Sequence, residues 1–219
     1  MKVAVLLPTL NEEESIGEVL EGIPETEGYE VDPVVVDGLS TDGTVEIARE
    51  KGARVLLVPE RGKGIAFRAA VKHLLDEYDR FVMLDADTTY PPEYIPEFLE
   101  ELEEHDFVRG ARNLRRENMH LTHIIGNTLT SFITSLLFQP TRDLCTGYLG
   151  FTREALEKME LRARGFDLEA DIFAKASRKG LDIEEIEVEY RHRKGESNLD
   201  PVPDSFRIIL RLVREALRI

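Results

Sequence analysis

The sequence has little of what marks secreted, membrane-spanning or nucleic-acid-binding proteins. Its 219 residues include a single cysteine, Cys145, which excludes an internal disulfide framework and indicates a reducing compartment. No apolar run reaches the roughly 18 residues that a membrane-spanning helix needs. Basic residues are the minority, and the formal net charge of −15 would repel nucleic acid. We therefore expect a cytoplasmic protein whose partners are not nucleic acids.

Short apolar runs alternate with amphipathic stretches in the first half of the chain. The runs cover residues 3–7, 31–36, 55–58 and 81–84, and helical patterns follow them at residues 12–20, 44–50, 64–77 and 92–104. Such runs are typical of parallel strands that are buried on both faces. They predict an α/β fold with a Rossmann-like, doubly wound, mostly parallel sheet and helices on both faces. Ligands bind such sheets beyond the carboxyl ends of the strands.

The pattern of the second half is less regular. We predict a strand at residues 107–111, a long helix at 119–138, a mixed region at 144–151, a helix at 166–179, a strand at 183–190 and a final helix from about residue 204. No linker or internal repeat interrupts the chain. We therefore predict one domain over residues 1–203, followed by a basic amphipathic helix over residues 204–219.

Polar motifs follow the first three predicted strands. They are Pro8-Thr9-Leu10-Asn11-Glu12, Asp37-Gly38-Leu39-Ser40 and Arg61-Gly62-Lys63-Gly64. Each could be only a turn with a helix cap, because Asn, Asp, Ser and Thr cap helices and acids suit a first helical turn.

The motif after the fourth strand, Asp85-Ala86-Asp87, has a sharper interpretation. Its two carboxylates repel each other, and a divalent cation would offset that repulsion. Mg²⁺ or Mn²⁺ binds carboxylates together with substrate phosphate oxygens. Asp85 and Asp87 are therefore candidate metal ligands, and an exposed acidic turn is the alternative.

In their order and spacing, these motifs resemble the family-2 glycosyltransferases of the GT-A fold. The nearest match is to the dolichyl-phosphate (polyprenyl-phosphate) glycosyltransferases, which include archaeal enzymes of lipid-linked glycan synthesis. The resemblance covers residues 8–12, 36–44, 62–64, 85–87, 110–112, 126–127, 143–151, 165–171 and 190–199. It implies that residues 1–105 bind the nucleotide sugar and that residues 106–203 bind the acceptor.

The resemblance also implies a reaction. An inverting transferase would move a hexose or N-acetylhexosamine from a nucleotide-diphosphate sugar, with a UDP-sugar expected, to polyprenyl (dolichyl) phosphate in protein glycosylation. The cofactor would be Mg²⁺ or Mn²⁺. Because a lipid phosphate is already anionic, catalysis would rest on positioning and on charge stabilisation rather than on a strong base.

Individual roles follow from the resemblance. It assigns the nucleotide sugar to Pro8, Thr9, Asn11, Glu12, Asp37, Lys63, Asp85 and Ala86, catalysis to Asp85, Asp87, Arg112 and Glu169, and the acceptor phosphate to Arg112, Asn127, Arg191, Arg193 and Ser197. Glu169 would be the base if the acceptor were a hydroxyl. Either Arg191 or Arg193 could match the basic residue that the family carries before Gly-x-Ser. Gly38 replaces an aspartate that the family often has, which leaves the base open.

Residues 118–142 contain no acid, although the chain average of 43 acids in 219 residues would place about five there. Apolar residues recur at helical spacing in this segment. Arginines precede it at 109, 112, 115 and 116, and Arg142 is its last residue. The segment is either a lipid-facing helix beside an acceptor-phosphate site or a core helix with solvated arginines.

The last residues also suit a membrane surface. Arginines 207, 211, 214 and 218 fall in a stripe roughly 60° wide on a helix whose remaining surface is largely apolar. Such a helix suits anionic headgroups, and we expect a peripheral protein on the inner face of the cell membrane. The alternative is a helix docked on the domain.

Three other functions are compatible with parts of the sequence. A related transferase could use a soluble hydroxyl acceptor, and a non-catalytic protein could bind nucleotide sugars. Asp85-Ala86-Asp87-Thr88-Thr89 also resembles the nucleophile motif of haloacid-dehalogenase-type phosphatases. That motif usually follows the first strand, whereas this one follows the fourth. The sugar, lipid length and oligomeric state stay open.

Overall fold

The computed structural model describes residues 1–113, 121–195 and 201–217, and a seven-stranded sheet lies at their centre. The strands are β1 (Lys2–Thr9), β2 (Glu30–Asp37), β3 (Arg54–Leu57), β4 (Arg80–Met83), β5 (Phe107–Arg112), β6 (Leu149–Thr152) and β7 (Ile183–Val188). Their order is β3-β2-β1-β4-β6-β5-β7. The first four are parallel, so the predicted Rossmann-like, mostly parallel sheet is confirmed.

The helices lie near the predicted positions. They are α1 (Ile16–Gly22), α2 (Thr44–Glu50), α3 (Lys63–Leu74), α4 (Ile95–Glu101), α5 (Leu121–Leu137), α6 (Arg153–Lys158), α7 (Leu168–Lys179) and α8 (Pro201–Leu217), with a 3₁₀ turn at Pro92–Tyr94. Helix α6 was not predicted. Helix α1 begins later than expected, and the N–H groups of Glu12 and Glu13, which precede it, donate to Thr44 and Asp42 side chains.

Strand β6 is antiparallel to both of its neighbours, β4 and β5. Its first residue, Leu149, pairs with Met83, the last residue of β4. The chain that enters β6, residues 143–148, therefore lies at the carboxyl ends of the parallel strands. This places Gly147, in the second half of the chain, beside Asp85.

Alternate residues of β1 point to opposite faces of the sheet, as in any strand. Ala4 and Leu6 pack with Phe67 of α3 on one face, and Val5 packs with Ile16 of α1 on the other. Both faces are thus covered by helices, as predicted. Because helices cover both faces, the carboxyl ends of the parallel strands are left open at one edge of the sheet.

The C-terminal helix α8 packs on α5 and α7. Its Ile208 and Leu212 are buried in the core on the α3 side of the sheet. Within the described ranges, none of the helices is long and apolar enough to cross a bilayer.

The predicted arginine stripe of α8 is divided between two environments. Arg211 is only 17% exposed, and its guanidinium donates to Asp167 through both Nε and a terminal nitrogen, at 2.9 and 2.7 Å. Arg207 and Arg214 are exposed, while Arg218 lies outside the described residues. The expectation that all four face headgroups is therefore wrong for Arg211.

Arg109 is buried, which corrects the expectation of a solvated or phosphate-binding side chain. It is 1% exposed. Its guanidinium donates to Thr141 Oγ1 at 2.6 Å and to Glu185 Oε1 at 2.9 Å, and to the carbonyls of Asp143 and Leu144. Arg109 thereby ties β5 to β7 and to the segment that leads into β6.

Replacing Arg109 by Met should lower the free energy of unfolding by about 3 kcal/mol, because two buried carbonyls lose a donor and the partly buried Glu185 loses one of its cationic partners. Arg142 is the matched control, since it also pairs with Glu185 but is 60% exposed. Arg142→Met should cost less than about 1 kcal/mol. Urea unfolding of both variants measures the difference, and equal losses would contradict the assignment.

Candidate functional site

A cavity of about 330 Å³ opens at the carboxyl ends of β1, β2 and β4. Eight predicted site residues line it: Pro8, Thr9, Glu12, Lys63, Asp85, Ala86, Asp87 and Arg193. Gly38, Arg61, Gly165 and Phe166 also contribute to its wall. The strand-end motifs and two segments from the second half of the chain thus meet in one place.

Lys63 lies between two acids in the cavity wall. Its Nζ is 2.6 Å from Asp85 Oδ1 and 2.6 Å from Glu169 Oε1. Burial alone would lower the pKa of Lys63, but Asp85 and Glu169 together raise that pKa well above its usual value. Lys63 is therefore a permanent cation in the cavity wall.

Arg193 bridges the other two acids of the cavity. One terminal nitrogen lies 2.7 Å from Asp87 Oδ2, and the other lies 3.0 Å from Glu12 Oε1. Burial raises the pKa of Glu12 to about 7, and Arg193 opposes that rise. Burial and the neighbouring Asp85 raise the pKa of Asp87. The acids are therefore crowded, and additional positive charge would stabilise their ionised forms.

The donor set of Asp85 and Asp87 fits a hard divalent cation that shares its coordination with a phosphate. Among the described residues, no group of three or more His, Cys, Asp or Glu side chains is placed to hold a metal by itself. Mg²⁺ is commonly bound through one or two carboxylates together with substrate phosphates. Both aspartates line the cavity, so an entering phosphate can supply the remaining oxygens.

Three glycines allow the close approaches that build this site. A Cβ at Gly62 or Gly64 would come within 2.2 Å of Arg164 O or 2.7 Å of Ala163 O, and Gly62 has a φ of +137°. A Cβ at Gly147 would come within 2.2 Å of Asp85 Oδ2. The role of Gly147 was not predicted, because it depends on the antiparallel pairing of β6 with β4.

Two predicted donor-binding residues organise loops behind the cavity. Asp37 is 2% exposed and accepts hydrogen bonds from Thr9 Oγ1, at 3.3 Å, and from Ser40. Asn11 has a φ of +58°, and its side chain accepts from Thr41 N at 2.8 Å. Their contact with a nucleotide sugar stays a prediction.

The structure distinguishes the two arginines of the loop after β7. Arg193 lines the cavity. Arg191 is not among the lining residues, is exposed, and pairs with Glu189 and Glu93. Ser197, also predicted to bind phosphate, lies outside the described residues, as do Arg115 and Arg116.

The side chains of Arg112, at the end of β5, and Asn127, on α5, are largely buried. Arg112 forms a fork on Asp143, with contacts of 2.6 and 2.8 Å, and lies over the Tyr190 ring. Burial would raise the pKa of Asp143, but Arg112 lowers it below its usual value. Asn127 Oδ1 accepts from Cys145 N, and its buried Nδ2 has no hydrogen-bond partner among the described residues.

Comparisons with known proteins found similar sequences. Residues 4–160 match the family model "Glycosyl transferase family 2". The chain is 37% identical to the dolichyl-phosphate hexose transferase of Haloferax volcanii, over 91% of this chain and 87% of that protein. It is 29% identical to the undecaprenyl-phosphate mannosyltransferase of Micrococcus luteus, over 91% and 88%.

A solved structure is similar throughout. Glucosyl-3-phosphoglycerate synthase from Mycobacterium tuberculosis, in complex with Mn²⁺, UDP and phosphoglyceric acid, superposes with a TM-score of 0.81 at 25% identity. The match covers 98% of this chain and 78% of that one. The predicted GT-A fold is therefore confirmed.

Replacing Gly147 by Ala should displace the Asp85 carboxylate and weaken Mn²⁺ binding by at least roughly tenfold, because a misplaced ligand loses most of its interaction. Electron paramagnetic resonance of free Mn²⁺ measures the affinity. Gly17→Ala is the control, since a Cβ there meets only side-chain carbons, at 3.4 and 3.8 Å. Wild-type affinity in Gly147→Ala would contradict the proposed contact.

Proposed function

This chain belongs to glycosyl transferase family 2, and we propose that it transfers a hexose or N-acetylhexosamine from a UDP-sugar to polyprenyl (dolichyl) phosphate during protein glycosylation. The cavity at the strand ends carries the proposal, because Asp85 and Asp87 meet Lys63 and Arg193 there. The names of the two relatives support a lipid-phosphate acceptor. The Mn²⁺ and UDP named with the solved structure support the donor.

The donor would lie along the strand ends with its diphosphate toward the acids. Pro8, Thr9 and Gly38 form the wall on the β1 and β2 side, which suits the nucleoside. Asp85 and Asp87 would hold Mg²⁺ or Mn²⁺, which supplies charge neutralisation of the departing nucleoside diphosphate when bound. Lys63 adds a permanent positive charge beside Asp85.

The acceptor phosphate would approach from the side of the loop after β7. Arg193 reaches the cavity from that loop, and the buried Asn127 Nδ2 is a donor without a described partner. Arg112, which is held by its fork on Asp143, is proposed as a further ligand of the acceptor phosphate. Ser197 is proposed as a ligand from the resemblance alone. An anionic phosphate needs no proton removed, so positioning and electrostatics would carry the reaction.

A soluble hydroxyl acceptor is the second candidate. It is favoured by the solved structure, whose name includes phosphoglyceric acid. Glu169 would then be the base, although its carboxylate is already paired with Lys63 at 2.6 Å. That ion pair favours a role for Glu169 in fixing Lys63. The phosphatase alternative is wrong, since the chain is a glycosyltransferase of this family.

Lipid extraction distinguishes the two acceptors. Purified protein is incubated with radiolabelled UDP-glucose, UDP-GlcNAc or UDP-galactose and polyprenyl phosphate. We expect label in the organic phase that depends on added polyprenyl phosphate. Label that stays in an aqueous product would support the hydroxyl acceptor. No transfer from any UDP-sugar would contradict the proposed donor.

The same assay tests the proposed metal site. Excess chelator or Asp87→Ala should lower turnover by at least roughly two orders of magnitude, as expected for loss of a main electrostatic contribution. Glu46→Ala is the control, because Glu46 is an exposed acid on α2. Full turnover in chelator would contradict the metal requirement.

We further propose that α5 and α8 form one membrane-docking surface. Its apolar side chains are Ile125, Leu129, Phe132 and Leu136 of α5, and Phe206, Leu210, Val213 and Leu217 of α8, all of them exposed. The two helices pack side by side, and both stripes have the same helical spacing. Exposed apolar patches of this extent mark interaction surfaces.

Helix α5 has the opposite distribution of polar and apolar side chains to that of a helix on a soluble domain. Among its residues 124–137, the fully buried ones are polar: Asn127, Thr130, Ser131 and Thr134. Thr130 and Thr134 donate to carbonyls one turn earlier, which satisfies the hydroxyls inside the protein. An apolar outer face with Arg207 and Arg214 nearby suits an anionic bilayer on the inner face of the cell membrane.

Replacing Phe132 or Phe206 by Ser should lower binding to vesicles that contain anionic phospholipid by about tenfold each, because each side chain loses its burial in lipid. The two side chains are 61% and 67% exposed, so folding should be retained. Leu57→Ser, at a 57% exposed position on β3, is the matched control. Unchanged flotation of both Phe variants would contradict the surface.

A further inference from the structure

Arg193 is held in the cavity from both sides along the chain. Two residues before it, Arg191 N donates to Thr89 O at 2.9 Å, and directly after it, Lys194 N donates to Asp87 O at 3.1 Å. The loop after β7 is therefore fastened to the turn that carries Asp87. This holds the backbone of Arg193 beside Asp87, so that its guanidinium reaches the Asp87 carboxylate.

Both oxygens of the Asp87 carboxylate already have partners. Its Oδ1 accepts from Thr89 N at 3.1 Å and also from the Thr89 hydroxyl. Its Oδ2 is 2.7 Å from Arg193. A divalent cation on Oδ2 would meet the guanidinium at contact distance, and two like charges so close repel strongly in a buried site. Arg193 and a cation therefore compete for Asp87.

The guanidinium has hydrogen-bonding capacity that these two acids do not use. Nε of Arg193 is buried, and no described residue accepts a hydrogen bond from it. A phosphate can accept two parallel hydrogen bonds from an arginine, which an isolated metal ion cannot do. A diphosphate entering the cavity thus offers Arg193 a partner when it leaves Asp87.

We propose that Arg193 competes with a divalent cation for the Asp87 carboxylate, so that binding of the cation depends on the nucleotide-sugar donor. Without a diphosphate, Arg193 occupies Oδ2 of Asp87 and weakens binding of a free cation. With a diphosphate present, Arg193 moves to the diphosphate oxygens, in place of the acceptor-phosphate role that the resemblance gave it, and leaves Asp87 to the cation. The first half rests on the described contacts alone, and the second half rests on the proposed function.

The two halves predict opposite effects of one substitution. Without nucleotide, Arg193→Met should bind Mn²⁺ about tenfold more tightly than the wild type, because a competing positive charge is gone. With saturating Mn²⁺, the same variant should bind UDP about tenfold more weakly, because the phosphate fork is gone. Electron paramagnetic resonance of free Mn²⁺ and calorimetric titration with UDP measure the two affinities.

Arg54→Met is the matched control. It removes the same charge and one ion pair, with Glu77, at the start of β3 and thus at the opposite end of the strands from the cavity. Both affinities should equal those of the wild type. Arg193→Lys keeps a positive charge at Asp87, so its affinity for Mn²⁺ without nucleotide should stay within about threefold of the wild type.

The outcomes distinguish failure of the proposed competition at Asp87 from failure of the proposed function. If Arg193→Met unfolds cooperatively on heating and binds Mn²⁺ as tightly as the wild type or more weakly, the proposed competition for Asp87 is wrong. Tighter Mn²⁺ binding with unchanged UDP binding supports competition for Asp87 and overturns the transfer of Arg193 to the diphosphate. If the wild type binds no UDP, the proposed donor fails, and the comparison with Mn²⁺ alone still decides the first half.

Discussion

The arrangement of the cavity depends on the balance between its acids and its two cations. Glu12, Asp85 and Asp87 converge because they follow parallel strands whose carboxyl ends meet at one edge. Lys63 and Arg193 lie between them at 2.6–3.0 Å. Without these cations the ionised acids would repel one another in a buried space. A cation and a diphosphate would enter this balance together, because each supplies the charge that the other requires.

Residues of the second half of the chain hold the wall of the cavity in place. Asp171 is buried and accepts hydrogen bonds from Arg162 N and Ala163 N, which shapes the segment against which the glycines beside Lys63 pack. Asp167 accepts from Gly165 N and from Arg211 of α8. The cavity wall is thus joined by hydrogen bonds to the helix that carries half of the proposed membrane surface. The proposed donor site and the proposed membrane-docking surface are thus connected through Asp167 and Arg211.

Much of the fold was predictable, because the pattern that specifies it is local. Each of the first four strands is a short apolar run, and a helix follows each of them before the next strand begins. The antiparallel β6 was predicted only as a mixed region, since its four residues lie in a stretch without clear periodicity. Helix α6 was missed for the same reason, with six residues and no separate apolar stripe. Short elements are selected by their neighbours rather than by their own sequence.

For the site, the sequence by itself determined which residues lie at the carboxyl ends of the strands, and hence that Pro8, Glu12, Lys63, Asp85 and Asp87 would share one cavity. Tertiary structure alone decided that Arg193, and not Arg191, enters that cavity. It likewise buried Arg109 with Glu185, 76 residues away, and paired Arg211 with Asp167, 44 residues away. The difference is physical. The edge of a parallel sheet collects residues by strand direction, which a local pattern reveals, whereas the partner of a charged side chain depends on which distant segments the packed core brings within hydrogen-bonding distance.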